Sequence, residues 1–201
     1  MNRTSLLTRS LKSELTVREE VEKGEKVIEG YFVVFYSETQ LFPGAFEEIA
    51  SSAFDKTLDN DVRALINHDT GLVLGRTKSE TLTLRVDEKG LWGRIVINEA
   101  DSDAMNLYAR VQRGDVDQCS FGFNILEEDT EFREDGTVKW TIRAVDLHEV
   151  SVVTFPAYDD TGVQARKQDM DTIKERTLEV RKKQLKEKLT HAKTTHAPSQ
   201  N

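Results

Sequence analysis

The chain has a single cysteine, Cys119, in 201 residues, so it cannot close an internal disulfide. It lacks a signal peptide and any long apolar run, and on that basis it reads as soluble and intracellular, with no membrane contact. Basic residues are in deficit, 28 Lys and Arg against 36 Asp and Glu, for a net charge of -8. A nucleic-acid-binding surface is therefore not the first expectation, and no nucleic acid is required. There is no phosphate loop or dinucleotide fingerprint, no His-x-x-x-His or Cys-x-x-Cys spacing, and no internal repeat. Of the four histidines, His68 and His148 lie in the body of the chain, while His191 and His196 fall in the tail. A metal hydrolase would need about three ligands around an open position. No metal and no cofactor are expected.

What remains is a polar single domain with charged ends, at 37% hydrophobic and 32% charged residues. Residues 1–26 form a charged leader. Leu6, Leu7, Leu11 and Leu15 keep helical spacing, so the leader is a short amphipathic helix or else disordered. Its bland reading is a solvated arm, and its functional one a removable or docking segment. Residues 27–166 carry the fold. Tyr31 to Tyr36 is apolar on both faces and suits a strand in the middle of a sheet. Phe42-Pro43-Gly44-Ala45-Phe46 is a turn, and a helix is expected over 51–58, capped by Ser51 or Ser52. Val62 to Asn67 reads as a strand ending at His68, after which Asp69-Thr70-Gly71 turns the chain. Leu72 to Arg76, Leu82 to Val86 and Leu91 to Ile97 are strands, the last two joined by the hairpin turn Asp87 to Gly90. Ala104, Leu107, Tyr108 and Val111 make one helical stripe, capped by Asp101 or Ser102 and stopped by Gly114. Asp135-Gly136 turns between Ile125 and Trp140, and a long strand runs over 141–154 to Pro156. Residues 167–201 form a charged tail, a helix and then disorder.

Asp117-Gln118-Cys119-Ser120-Phe121-Gly122-Phe123 is the stretch the rest supports. Strand alternation puts Cys119, Phe121 and Phe123 on an apolar face and Ser120, Gly122 and Asn124 on the other. Ser120 then sits on an open floor beside a residue with no side chain, where a substrate backbone could approach. Cys119, turned to the core, is an inert packing residue rather than a nucleophile. A serine hydroxyl needs a base within hydrogen-bond reach and a third group to orient that base. Two other stretches supply them: Asn67-His68-Asp69, and Leu147-His148-Glu149-Val150-Ser151. His68 is the natural base, because an imidazole titrates near working pH. The bland readings are a strand with one solvent-facing serine, a strand-end histidine bonded to a turn carbonyl, and a Glu149 carboxylate paired with an arginine such as Arg143.

The chain resembles the prohead maturation proteases of tailed phages, distant relatives of the herpesvirus assemblins. The resemblance covers about residues 27–166. In order it rests on Gly30-Tyr31, Phe42-Pro43-Gly44-Ala45-Phe46, Asn67-His68-Asp69, Val73-Leu74-Gly75-Arg76-Thr77 and Asp87 to Leu91. Then follow Arg113-Gly114-Asp115, Ser120-Phe121-Gly122-Phe123, and Leu147-x-Glu149-Val150-Ser151 with Pro156-Ala157-Tyr158.

The resemblance implies an α+β, mainly β fold, with an assemblin-like β-barrel core wrapped by a few helices and charged flexible termini. It implies a serine endopeptidase with Ser120 as nucleophile, His68 as general base and Glu149 as the acid that orients it. The assemblins use a second histidine as third member, which keeps His148 as the alternative. They build the oxyanion hole from backbone N–H groups with help from an arginine, so a backbone amide and Arg143, or Arg166, are the candidates here. The implied substrates are scaffold protein, the scaffold-like segment of the major capsid protein, and the protease itself, inside the prohead in the host cytoplasm. The state of assembly, including a homo-oligomer, stays open. The rival class is a catalytically inactive capsid-assembly or scaffolding module with the same fold.

Overall fold

The computed structural model describes residues 6–12, 15–20 and 24–155, then 166–172 and the helical residues 175, 178–179, 182–183 and 185–186. The chain divides into two units, residues 1–162 and 163–201. In the second unit the described residues are helical, as a charged helix predicts. The expected Pro156-Ala157-Tyr158 end and the polar stretch from Thr194 lie outside the described residues.

The first unit is mainly β. Its strands are β1 (Leu7–Lys12), β2 (Thr16–Glu20), β3 (Glu25–Val34), β4 (Thr39–Phe42), β5 (Ala45–Ile49) and β6 (Arg63–Ile66). They continue as β7 (Asp69–Arg76), β8 (Leu82–Val86), β9 (Gly90–Val96), β10 (Gln118–Phe132) and β11 (Val138–Val153), with one helix, α1 (Ser102–Arg113), before β10. One sheet runs β1-β10-β11-β5-β4, with β6 on β11 and β7 on β6; the other runs β2-β3-β9-β8. Neither sheet closes, so the expected barrel is two open sheets around a shared core.

β11 is the spine of the larger sheet. One edge pairs antiparallel with β10. The other takes two parallel partners, β5 beside Val138–Ile142 and β6 beside Glu149–Val152. Bulges near Gly122, Ile125 and Glu127 interrupt the β10–β11 ladder and bend it. In the smaller sheet β3 is central, as its two-sided apolar sequence requires, with Val27, Ile28, Phe32 and Val33 buried. Phe35, Phe54, Phe121 and Phe123 continue the core in a chain of ring contacts, Phe121 and Phe123 stacked at 4.7 Å.

Helix α1 follows its sequence signals. The Asp101 carboxylate accepts from the Asp103 and Ala104 amides. Ala104, Leu107, Tyr108 and Val111 are its buried face. Gly114 stops it at φ 84°, a left-handed conformation that a Cβ would oppose.

The leader departs from expectation. It is neither helix nor disordered over its described length, since β1 extends one sheet and β2 the other. In Leu7-Thr8-Arg9 the residues alternate between faces, and Leu7 is buried in the core. The free edges of β10 and β3 offer unpaired backbone groups, and ladder hydrogen bonds to them override weak helical spacing. The helix expected over 51–58 shortens to a 3₁₀ turn, Ser51–Phe54, with no side-chain cap. Among the described residues no helix is long and apolar enough to cross a membrane.

Candidate active site

The loop after β6 sets the first functional side chain. Ile66 pairs with Asp69, so Asn67 and His68 are the two central residues of a tight hairpin. Both have positive φ, 51° and 62°, as a two-residue type I′ hairpin turn demands. Asparagine and histidine are among the side chains that tolerate this region best. The turn is thus Asn67-His68, two residues earlier than the Asp69-Thr70-Gly71 the sequence suggests. Asp69 already belongs to β7, although its carboxylate still caps the Gly71 amide at 2.8 Å.

This hairpin is fastened to the end of β11. The Asn67 amide donates to the Val152 carbonyl at 3.0 Å, and its side-chain oxygen accepts from the Thr154 amide at 2.9 Å. The His68 amide donates to Ser151 Oγ at 3.2 Å. The imidazole is held above the strand, where Nδ1 lies 2.7 Å from Glu149 Oε1. The other carboxylate oxygen of Glu149 accepts from Ser151 Oγ at 2.6 Å. Glu149 is buried, and both of its oxygens are satisfied. Its partners are a histidine and a serine rather than an arginine. Among the described residues the second ring nitrogen of His68, Nε2, has no hydrogen-bond partner.

Opposite residues of an antiparallel pair share a face. Ser120 lies opposite Ser151, and Gly122 lies opposite Glu149. The glycine has a steric role here: a Cβ at Gly122 would stand 2.3 Å from Glu149 Oε1. The absent side chain is the space in which the carboxylate reaches His68. Cys119, Phe121 and Phe123 face the core, as alternation predicts.

Ser120 is not on an open floor. It is fully buried, and its hydroxyl donates to the Arg9 carbonyl at 2.9 Å. The cover is β1, which runs antiparallel along β10 with Ser10 opposite Ser120. The structure therefore joins His68, Glu149 and Ser151 by hydrogen bonds and sets Ser120 beside them, but the Ser120 hydroxyl is given to β1.

Of the two adjacent candidates on β11, Glu149 meets His68. His148 is the extra residue between the Gly122–Glu149 and Phe123–Leu147 pairs; it is exposed, within 3.0 Å of Asn124 Nδ2. Arg143 is placed elsewhere. It stands far down β11, beside the Ile142–Glu128 pair, with its guanidinium on Asp129 at 2.7 Å. A charged group committed there does not reach the Ser120 region, so the oxyanion role expected of it is not supported. Arg166 belongs to the second unit, where it lies 4.0 Å from Asp169.

Ser151 is the site residue that side-chain chemistry alone did not assign. The spacing Glu149-x-Ser151 is the available signal, since residues two apart share a strand face. The part played by Arg9 had no sequence signal, because it acts through a backbone carbonyl.

The profile of the caudovirus prohead serine protease family matches residues 13–176. The chain belongs to this family. It is 34% identical over 146 residues to the prohead protease of Enterobacteria phage HK97, a match covering 70% of this chain and 60% of that protein. The chain thus spans about three fifths of the length of that relative. Among solved structures it is similar to the capsid assembly protease of bacteriophage T4, with a TM-score of 0.48 and 12% identity over 74% of this chain and 97% of that one.

Proposed function

We propose that this chain is a serine endopeptidase of capsid maturation, with Ser120 as nucleophile, His68 as general base and Glu149 as the group that orients His68. The observation that carries the reading is the 2.7 Å contact between His68 Nδ1 and the buried Glu149 carboxylate, which lies opposite Gly122, two residues along β10 from Ser120. With Nδ1–H donated to Glu149, the proton-accepting lone pair is on Nε2. The Ser120 hydroxyl swings from the Arg9 carbonyl to Nε2. Oγ then attacks the substrate carbonyl carbon as its proton passes to His68, and Glu149 stabilises the imidazolium. The same proton goes to the departing amine, and water hydrolyses the acyl-enzyme. Ser151 is a positioning residue: it holds Glu149 from one side and the His68 amide from the other. The oxyanion would be met by backbone N–H groups.

By analogy with the family, the substrates are scaffold protein or the scaffold-like segment of the major capsid protein, and the chain itself, within the prohead. A second reading, an inactive assembly module, is favoured by the buried Ser120 with its hydroxyl engaged. One experiment separates them. Wild type and Ser120→Ala are co-expressed with the capsid protein, and new termini are mapped by mass spectrometry. The protease reading expects cuts in the capsid protein and in the chain itself with wild type, and none with the folded variant. Equal trimming by both would refute it, and no trimming by either favours the assembly module. Glu149→Gln should lose most of the rate with circular dichroism unchanged, and His148→Ala much less. The reverse ranking would move the third role to His148.

A further inference from the structure

β1 lies on β10 as an added strand would. It runs antiparallel over six register pairs, from Leu7–Phe123 to Lys12–Gln118. Its Leu7 side chain is buried in the core. Two residues on, the Arg9 guanidinium reaches across to β5 and the Glu47 carboxylate, Nε to Oε1 at 2.5 Å and Nη2 to Oε2 at 3.2 Å. Glu47 is only 3% exposed, so this is a charged pair largely removed from water. The carbonyl of the same Arg9 is the group the Ser120 hydroxyl touches. Backbone pairing supplies general affinity for an extended peptide, and the pockets that meet alternate side chains supply choice.

Building on the proposed protease reading, we infer that the β10 edge under β1 is the substrate-binding edge, and that Glu47 is a specificity-determining residue. The edge takes an extended peptide antiparallel to β10, with an apolar residue at the Leu7 position and a basic one at the Arg9 position. The basic residue is held by Glu47 as its carbonyl comes against Ser120. β1 is the chain's own occupant of this edge. Substrate enters as β1 leaves, which explains why a nucleophile can be fully buried. A bidentate guanidinium–carboxylate contact is directional, so arginine is preferred to lysine.

The test uses the full chain, a fluorophosphonate probe, and peptides of the Leu6–Lys12 sequence carrying Arg, Ala or Glu at the Arg9 position. Arg9→Glu sets a second carboxylate against Glu47 and should loosen β1, raising the rate of Ser120 labelling about tenfold or more over wild type. Arg9→Gln removes the charge and the guanidinium fork, leaving a shorter neutral side chain, and carries the same test should the Glu variant not fold. In the loosened chain the Arg peptide should slow labelling at about tenfold lower concentration than the Ala peptide, and the Glu peptide should protect least. With Glu47→Gln added, the Arg and Ala peptides should become equal. Labelling of Ser120 that is the same with β1 intact or loosened, or equal protection by all three peptides, overturns this inference and leaves the protease reading standing. Absence of Ser120 labelling in every folded variant counts against the protease reading itself.

Discussion

Gly122 decides how much room the site has. Its missing side chain holds the Glu149 carboxylate, so Gly122→Ala puts a methyl group where Oε1 stands. Glu149 is fixed by His68 and Ser151 and cannot yield without breaking one of these bonds. The variant should lose about 1–3 kcal/mol in urea unfolding, a normal cost of overpacking, and nearly all activity. A variant with wild-type activity would show that the His68–Glu149 contact is dispensable. At this scale much was legible. A serine beside a glycine in an alternating strand, a histidine at a strand end and an acid on a third strand are chemical types that read directly from sequence. What alternation could not give was exposure: Ser120 is polar and on the polar face, yet β1 buries it. Nor could it place Arg143, because that depends on how far along a bent ladder a residue falls.

The Asn67-His68 hairpin is the element that aims the base. Two consecutive left-handed residues cost energy, which the bonds to Val152, Ser151 and Thr154 offset. Asn67→Ala loses the side-chain bond to Thr154 and puts a methyl-bearing residue at φ 51°, at a cost of about 1–2 kcal/mol. Asn67→Gly relieves the backbone but not the bond, so it should be the milder change in thermal unfolding and also in the rate of Ser120 labelling. If both variants label at the wild-type rate, the turn does not position His68. α1 offers a plainer case. Leu107 is buried on its apolar stripe, and Leu107→Ala should cost about 2–5 kcal/mol in chemical unfolding. The helix was legible because cap, stripe and stop agree. The turn was displaced by two residues because Asp69-Thr70-Gly71 is better turn chemistry than Asn67-His68 when tertiary anchors are ignored. The leader strands were missed for a related reason: their partners are distant edges that local spacing does not encode.

At the scale of the first unit, two open sheets share one core, and charged pairs join strands around its rim. One has a clear titration signature. Asp61 accepts from Arg76, and this holds its carboxyl at about 2, below the ordinary 3.8. The folded value lies below the unfolded one, so the stabilising contribution is full above about pH 4 and drains away as pH falls towards 2. The stability gap between wild type and Arg76→Gln, followed by urea midpoint, should therefore be present at pH 6 and closed near pH 2; a gap that widens in acid would contradict the assignment. The larger architecture also frames the central claim. β10 and β11 present Ser120 and Ser151 on one face beside a single histidine, and the account gives the first chemistry and the second positioning. Fluorophosphonate labelling followed by peptide mapping asks this most directly. The account predicts the phosphonyl group on Ser120 in wild type and in Cys119→Ala, and no modified peptide in Ser120→Ala. Modification at Ser151, or labelling that survives Ser120→Ala, would contradict it.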